Sequence, residues 1–379
     1  MDTGAGAGAG AGANRPKSRS EFHPLNGIKM VKRVLVFPCG SEVGLEIHAA
    51  LRYSSHVELV GGSSTRDHGS FVFQEFVGEI PAVSEPDFLE QMARVVGKHD
   101  IELIYPATDS AVEALCGWGA SLGVTVIGSS PDAIKTCSRK LSTYKRLSGV
   151  VAVPEVYSSL EEVTAFPAFI KPNIGHSSID TFRAPDVLSA EEFLSKFDDG
   201  TMLVLEDLPG DEWTVDCFSD RHGELRFHLP RQRSRIKGGI SVRTAHSPEV
   251  HQEFGHWAKA LNSELQPRGA WFFQAKASSS GRPKLLEVGT RPAGSSALSR
   301  SLGVNLPLLS VFDALDEDVT FAPNSYSVVL DRALGNRFHV NFDYNHIFVD
   351  LDDCLMIRGK INSELLAFLF QSSNEGKSI

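Results

Sequence analysis

Cysteine is scarce in this sequence: Cys39, Cys116, Cys137, Cys217 and Cys354 are scattered, odd in number and without a C-x-x-C or a Cys/His pairing. That excludes a disulfide framework and offers no zinc-site spacing. No apolar run reaches the roughly 18 residues that span a bilayer, and the N-terminus lacks the charged start, apolar middle and cleavage site of a secretory signal. No membrane partner is expected, and the default location is cytoplasmic. Positive charge is short as well: 37 Lys plus Arg face 47 Asp plus Glu, a net charge of −10. A general nucleic-acid binder that lives on phosphate neutralisation is excluded on that ground. Also missing is a G-x-G-x-x-G loop after the first apolar strand, where the turn reads CGSEVG (39–44), so dinucleotide binding is not indicated.

What is present is an ordinary globular mix, 42% hydrophobic and 22% charged residues over 379 positions. At roughly 150 residues per domain that length gives two to three domains. Residues 1–29 carry a GAGAGAGAGA repeat (4–13) and almost nothing large and apolar, and read as a disordered leader or tag ahead of Met30. From 30 to 130, apolar strands (VLVFP 34–38, VELVGG 57–62, IELIYP 101–106, VTVIG 124–128) alternate with helical runs at 45–52, 88–99 and 110–123. That alternation predicts a doubly wound parallel α/β sheet. A helix is expected over 131–149, and from there to 325 the texture becomes α+β. Strands are expected at 165–172, 201–208 and 212–219, a hairpin at 271–278 and 284–292 around Gly281, and helical pieces over 296–315 broken near Gly303 and Pro307.

Chemistry-bearing residues punctuate this second region. Lys171 ends a strand and enters the turn NIGHSS (173–178), where an ammonium and backbone N–H groups can cover phosphates; alone it could be a strand-end lysine in water. VLEDLPGDEWTVD (204–216) places Glu206 after an apolar strand, a Pro209–Gly210 turn, then Glu212, which suits an adenine edge and ribose hydroxyls but is also a plain hairpin between charged strand ends. Gln274 and Glu287 fall on neighbouring strands, with Arg291 and Ser295 beyond; side-chain oxygens so placed can hold Mg2+ together with substrate phosphates, the bland alternative being a cross-strand polar pair and a surface arginine. PRQRSRIKGGISVRT (230–244) concentrates Arg231, Arg233, Arg235, Lys237 and Arg243 around two glycines, either a solvated face or a loop that recruits an anion.

Taken in order, Lys140 at a helix, Lys171 at a strand end, the E-x-x-x-x-x-E hinge from Glu206 to Glu212, the Gln274/Glu287 hairpin and an R-x-x-x-S-S tail at 291–296 resemble the ATP-grasp superfamily. Within it the chain looks most like the branch of the carbamoyl-phosphate synthetase large chain and the pyrrolysine-biosynthesis ligase, over about residues 31–320. The resemblance implies an ATP-grasp fold of two α+β lobes preceded by the doubly wound domain, with ATP and Mg2+ as cofactors. It implies phosphate contacts from Lys140 and Lys171, an adenine hinge at Glu206 and Leu208, a ribose contact at Glu212 and magnesium ligands at Gln274 and Glu287. Arg291 would meet the γ-phosphate, Lys237 and Arg243 the transferred group and acceptor, and the segment 174–178 with His176 would act as a lid. The implied activity is a carboxylate–amine ligase working through an acyl phosphate on small-molecule partners; a homodimer is compatible with it. One departure stands out: the family pattern E-x-N reads Glu287-Val288-Gly289 here, so a side-chain oxygen for a second metal is missing, and a nucleotide-binding module with little turnover is the alternative.

Residues 343–379 form a separate object. FVDLDDCLMIRG (348–359) predicts an apolar strand ending in Asp350, Leu351, Asp352 and Asp353, which resembles the first motif of haloacid dehalogenase-like hydrolases with Cys354 where threonine is usual. The expectation is a truncated opening of such a domain, inactive in itself, from a parent with a ligase and a phosphatase part.

Overall fold

The computed structural model describes residues 31–78, 80–175, 178–198, 200–334, 343–352 and 354–379. The expected leader, His176 and Asp353 lie outside them.

The first unit is a five-stranded parallel sheet of β1 (Lys32–Phe37), β2 (Val57–Gly62), β3 (Glu75–Val77), β4 (Leu103–Pro106) and β5 (Thr125–Val126), in the order β3-β2-β1-β4-β5. Alternation along β1 explains why it is buried on both sides. Val34 and Val36 pack on α1 (Glu42–Leu51) through Val43, Ile47 and Leu51. Leu35 and Phe37 face α2 (Phe88–Lys98) and α3 (Asp109–Leu115) through Phe88, Met92, Ala111 and Leu115. Ser41 caps α1, its hydroxyl accepting from the Gly44 amide at 3.0 Å. The edge strand β3 escapes the apolar pattern because it is three residues long and half-buried. The helix expected over 110–123 is split, α4 (Gly119–Leu122) following α3 after Gly117, and that expected over 131–149 is split into α5 (Pro131–Cys137) and α6 (Lys140–Leu147).

A small lobe follows: an antiparallel sheet of β6 (Val156–Tyr157), β7 (Ala168–Pro172), β8 (Phe182–Ala184) and β9 (Met202–Glu206) in the order β6-β9-β7-β8, with α7 (Val187–Leu194) on one face. The large lobe is a six-stranded antiparallel sheet of β10 (Glu212–Ser219), β11 (Leu225–Lys237), β12 (Ile240–His246), β13 (Gly269–Ala277), β14 (Pro283–Gly289) and β15 (Val329–Asp331), in the order β14-β13-β10-β11-β12-β15. The basic run 230–244 is therefore not a loop but most of a long hairpin that turns at Gly238 and Gly239, both with positive φ. A helix absent from the sequence expectations, α8 (His251–Leu265), covers one face of this sheet. Phe254, Ala258, Leu261 and Leu265 there pack on Trp213, Val215, Cys217, Trp271, Phe273 and Leu285.

The helical pieces α9 (Ala297–Ser301) and α10 (Leu306–Ala314) tie the units together. Leu306 and Leu309 belong to the large-lobe core, whereas Val311 packs into the core of the parallel sheet. In the C-terminal stretch the expected strand leading from Phe348 into Asp350 and Asp352 does not form among the described residues; Phe348 and Leu351 are exposed, and order comes from the short pair β16 (Met356–Ile357) and β17 (Lys360–Ile361) and from α11 (Ser363–Asn374). An apolar run with nothing to pack against has no reason to become a sheet strand. Among the described residues no helix is long and apolar enough to cross a membrane.

Candidate functional site

The large sheet has two unlike faces, and period-two alternation makes them so. Trp213, Val215, Phe273, Ala275 and Leu285 point into the core, while their neighbours Glu212, Thr214 and Gln274 point the other way. Register then assembles a polar surface: Glu212 stands opposite Lys276, Thr214 opposite both Gln274 and Arg231, and Gln274 opposite Glu287. The small-lobe sheet closes over this surface, leaving a cavity of about 350 Å3 between them. Lys140, Lys171, Glu206, Leu208, Glu212, Gln274 and Glu287 line it together. Residues far apart in the chain thus meet at one place.

A break in the β13–β14 ladder shapes the floor. Gln274 pairs with Glu287 but Ala275 pairs with Leu285, so Leu286 is an extra residue whose carbonyl is released from the ladder. That carbonyl accepts from the Tyr144 hydroxyl at 2.7 Å and from Lys171 Nζ at 3.4 Å, and Lys171 also donates to the Tyr144 hydroxyl at 2.8 Å. Lys171 is 7% exposed. Burial, with repulsion from Lys140 added, pulls its pKa down to about 7, against the opposing pull of Glu287 and Glu212. Lys140 opens α6, where Asn173 supplies the cap through its backbone and side-chain oxygens, and its ammonium donates to the Gly175 carbonyl at 2.8 Å.

The hinge between the lobes is the segment from Glu206 to Glu212. Gly210 is held by an amide bond to the Ala277 carbonyl at 2.9 Å, and a Cβ there would stand 2.6 Å from that of Ala277, so only glycine lets the two chains approach. Glu206 is engaged by Lys284 at 2.6 Å and by the Glu155 amide at 3.3 Å. Glu212 pairs with Arg233 and stands 3.8 Å from Lys276. Glu287, by contrast, has no hydrogen bond or ion pair among the described residues, though its charge favours the protonated forms of Lys171 and Arg291 nearby.

Three other expected residues lie outside the cavity lining. Lys237 is exposed at the tip of the β11–β12 hairpin. Arg243 is half-exposed on β12, facing Asp331 of the edge strand β15 at 3.5 Å. Arg291 follows β14, stacks over Phe272 with 5.4 Å to the ring centroid and is held bidentately by Asp109 of the first unit at 2.9 and 2.7 Å. The basic residue of the 230–244 run that lines the cavity is Arg233, to which the sequence pattern assigned no role. Period two carries the signal only part of the way: Arg231 and Arg233 share the face of Glu212, after which irregularities in the β11–β12 ladder on either side of Arg235 break the alternation, and Ile236 and Gly239 line the cavity in place of Arg235 and Lys237. Behind Arg233, Arg231 is fully buried with Asp216, in a bidentate pair at 3.0 and 2.8 Å that Ser295 and Ser299 complete.

The family described as "ATP-grasp in the biosynthetic pathway with Ter operon" matches residues 198–332, from β9 to the segment just past β15. The chain also superimposes on the biotin carboxylase domain of Hydrogenobacter thermophilus 2-oxoglutarate carboxylase, solved with Mg-ADP, ADP and bicarbonate, with TM-score 0.64 and 15% identity over 77% of this chain and 71% of that one. The fold is ATP-grasp. Further structures with this ATP-grasp fold are N5-carboxyaminoimidazole synthetase from Staphylococcus aureus (TM-score 0.62, 11% identity, 79% and 81% of the two chains) and L-amino acid ligase from Bacillus licheniformis (0.60, 16%, 75% and 74%). No curated protein sequence matches.

Proposed function

We propose that this protein is an ATP-dependent ligase that joins a small carboxylate to an amine or related nucleophile through an acyl phosphate. The observation that carries the reading is the cavity itself, in which three lysines (Lys140, Lys171, Lys276) converge on the opposed oxygen donors Gln274 and Glu287 beside an apolar slot. Phe169, Leu205, Leu208 and Leu286 are the walls for a flat base, and the hinge backbone at Leu208 with Glu206 is its polar edge. Glu212 is placed for ribose hydroxyls, and Lys140 and Lys171 for phosphates.

Magnesium fits one position. Among the described residues no cluster of three or more His, Cys, Asp or Glu could cage a metal, but Glu287 carries an unengaged carboxylate next to the Gln274 amide, the oxygen set Mg2+ takes when phosphates complete its shell. Bound there, the ion would offset phosphate charge. The chain's own part is positioning and charge neutralisation. Lys140 and Lys171 fix the phosphates while a carboxylate oxygen attacks the terminal phosphorus and ADP departs. Arg291, oriented by Asp109, stabilises the charge on the transferred group. The amine then attacks the acyl carbon, phosphate leaves and the amine proton is lost to solvent. The resemblance to the carbamoyl-phosphate synthetase branch rests on the order of motifs, and that to haloacid dehalogenase-like hydrolases on Asp350 and Asp352 alone.

A second reading, nucleotide binding with little turnover, is favoured by one feature. At Gly289 a Cβ would stand 2.3 Å from the Phe272 ring, so an aromatic side chain fills the space where a second oxygen ligand would project. Release of ADP that requires both a carboxylate and an amine, and that is lost in Lys171→Met, is the expected outcome; ATP binding without acceptor-dependent ADP release would select the second reading.

A further inference from the structure

Arg233 is the one strong cation in the cavity whose placement the proposed chemistry leaves unexplained. Its side chain is 6% exposed on β11. One guanidinium nitrogen donates to both Glu212 and Gln274, the latter at 2.6 Å, and the other donates to the Gly239 carbonyl at 2.6 Å, which ties the hairpin tip down. The Nε is buried with no partner among the described residues. A buried N–H left without an acceptor is unfavourable, so this conformation keeps donor capacity that a ligand in the cavity would satisfy. At the same time the guanidinium engages the Gln274 oxygen, which a divalent ion would need, and the Glu212 carboxylate. Among the described residues lining the cavity, Glu287 is then left as the carboxylate with no hydrogen bond or ion pair. A single carboxylate is a poor divalent-ion site in water.

We propose that Arg233 is a nucleotide-phosphate ligand that holds the place of the metal in the nucleotide-free protein. Resting on the reading of the cavity as a metal–nucleotide site, this makes metal and nucleotide entry one event. A divalent ion takes the Gln274 oxygen only as Arg233 turns its fork onto the phosphates, and the phosphates attract Arg233 only as the ion frees it. Metal alone is disfavoured because the ion would enter beside a buried guanidinium that stays paired with Glu212, with no phosphate to offset the added positive charge. Release of Gly239 in the same movement couples the exchange to the hairpin that carries Lys237.

Manganese binding followed by electron paramagnetic resonance tests this on the full chain, with and without ADP. Wild type should take up Mn2+ only when ADP is present. Arg233→Met should bind Mn2+ without nucleotide and lose about ten-fold or more in ADP affinity measured with metal, whereas Arg233→Lys, keeping the charge without the fork, should exclude free Mn2+ and lose less. Uptake of Mn2+ by nucleotide-free wild type as tight as with ADP overturns the proposal, as does Arg233→Met behaving like wild type with an unchanged melting temperature. If Mn-ADP fails to bind wild type at all, the reading of the cavity falls and this assignment with it.

Discussion

At the scale of single residues, Lys171 shows how position in the fold sets chemistry. Buried beside Lys140 and tied only to neutral oxygens, its ammonium titrates at about 7 instead of near 10.5. Phosphates favour the charged form, so its pKa rises on nucleotide binding. The sign follows: well below pH 7 the lysine is already charged and binding takes up no proton, while above about pH 8 binding should take up nearly one, and affinity should fall as pH rises. Calorimetry of Mg-ATP binding to wild type in buffers of different ionisation enthalpy measures that uptake directly, and no uptake above pH 8 would show that Lys171 does not titrate with the nucleotide. Gly289 makes a different point. The Phe272 ring lies where any side chain would go, so Gly289→Ala should overpack the sheet and lower stability by about 1–3 kcal/mol in thermal unfolding. An unchanged melting temperature would show that the ring moves aside freely and does not define that end of the site.

At the scale of elements, the large sheet is an amphipathic plate: one face is core against α8, the other is the site. Arg231 and Asp216 are the exception, an ion pair buried on the polar face and closed by Ser295 and Ser299, which fixes the chain between β14 and α9 to the sheet. Arg231→Met strands a buried carboxylate and should cost about 3–5 kcal/mol by denaturant unfolding, more than Arg231→Met combined with Asp216→Leu. Much of this architecture was legible before the structure. The strand at 212–219 and the hairpin around Gly281 fall where alternation and turn residues put them, and Lys140, Lys171, Glu206, Leu208, Glu212, Gln274 and Glu287 line one cavity. The rest was hidden for physical reasons. Four basic residues in alternation resemble a solvated loop until a partner strand buries two of them. The α8 helix has polar residues through most of its length and a narrow apolar stripe. Glycine or a short break divides helices that read as continuous, and the run from Phe348, with Phe348 and Leu351 exposed, forms no sheet strand.

At the scale of the whole molecule, carboxylates of the parallel-sheet unit reach across to arginines of the large lobe. Asp109 meets Arg291, Glu46 meets Arg300 at 3.0 Å and Glu42 meets Arg332. Asp109 and Glu42 open the helices at the carboxyl ends of β4 and β1, the two sides of the point where strand order reverses. Ligands favour such crevices in open α/β sheets, so the first unit both braces Arg291 and faces the place where an acceptor would meet the nucleotide. Asp109→Asn should leave Mg-ATP affinity within about two-fold and lower acceptor-dependent ADP release by about ten-fold or more, a split between binding and turnover that steady-state kinetics reads. Equal losses in both would make Arg291 a general binding group instead. The central claim is that the cavity between the lobes is a magnesium–nucleotide site built on Lys171. Isothermal calorimetry of ATP into the full chain tests it most directly. The account predicts a single magnesium-dependent site in wild type that disappears in a folded Lys171→Met variant. No heat of binding in wild type, or undiminished binding in that variant, would contradict it.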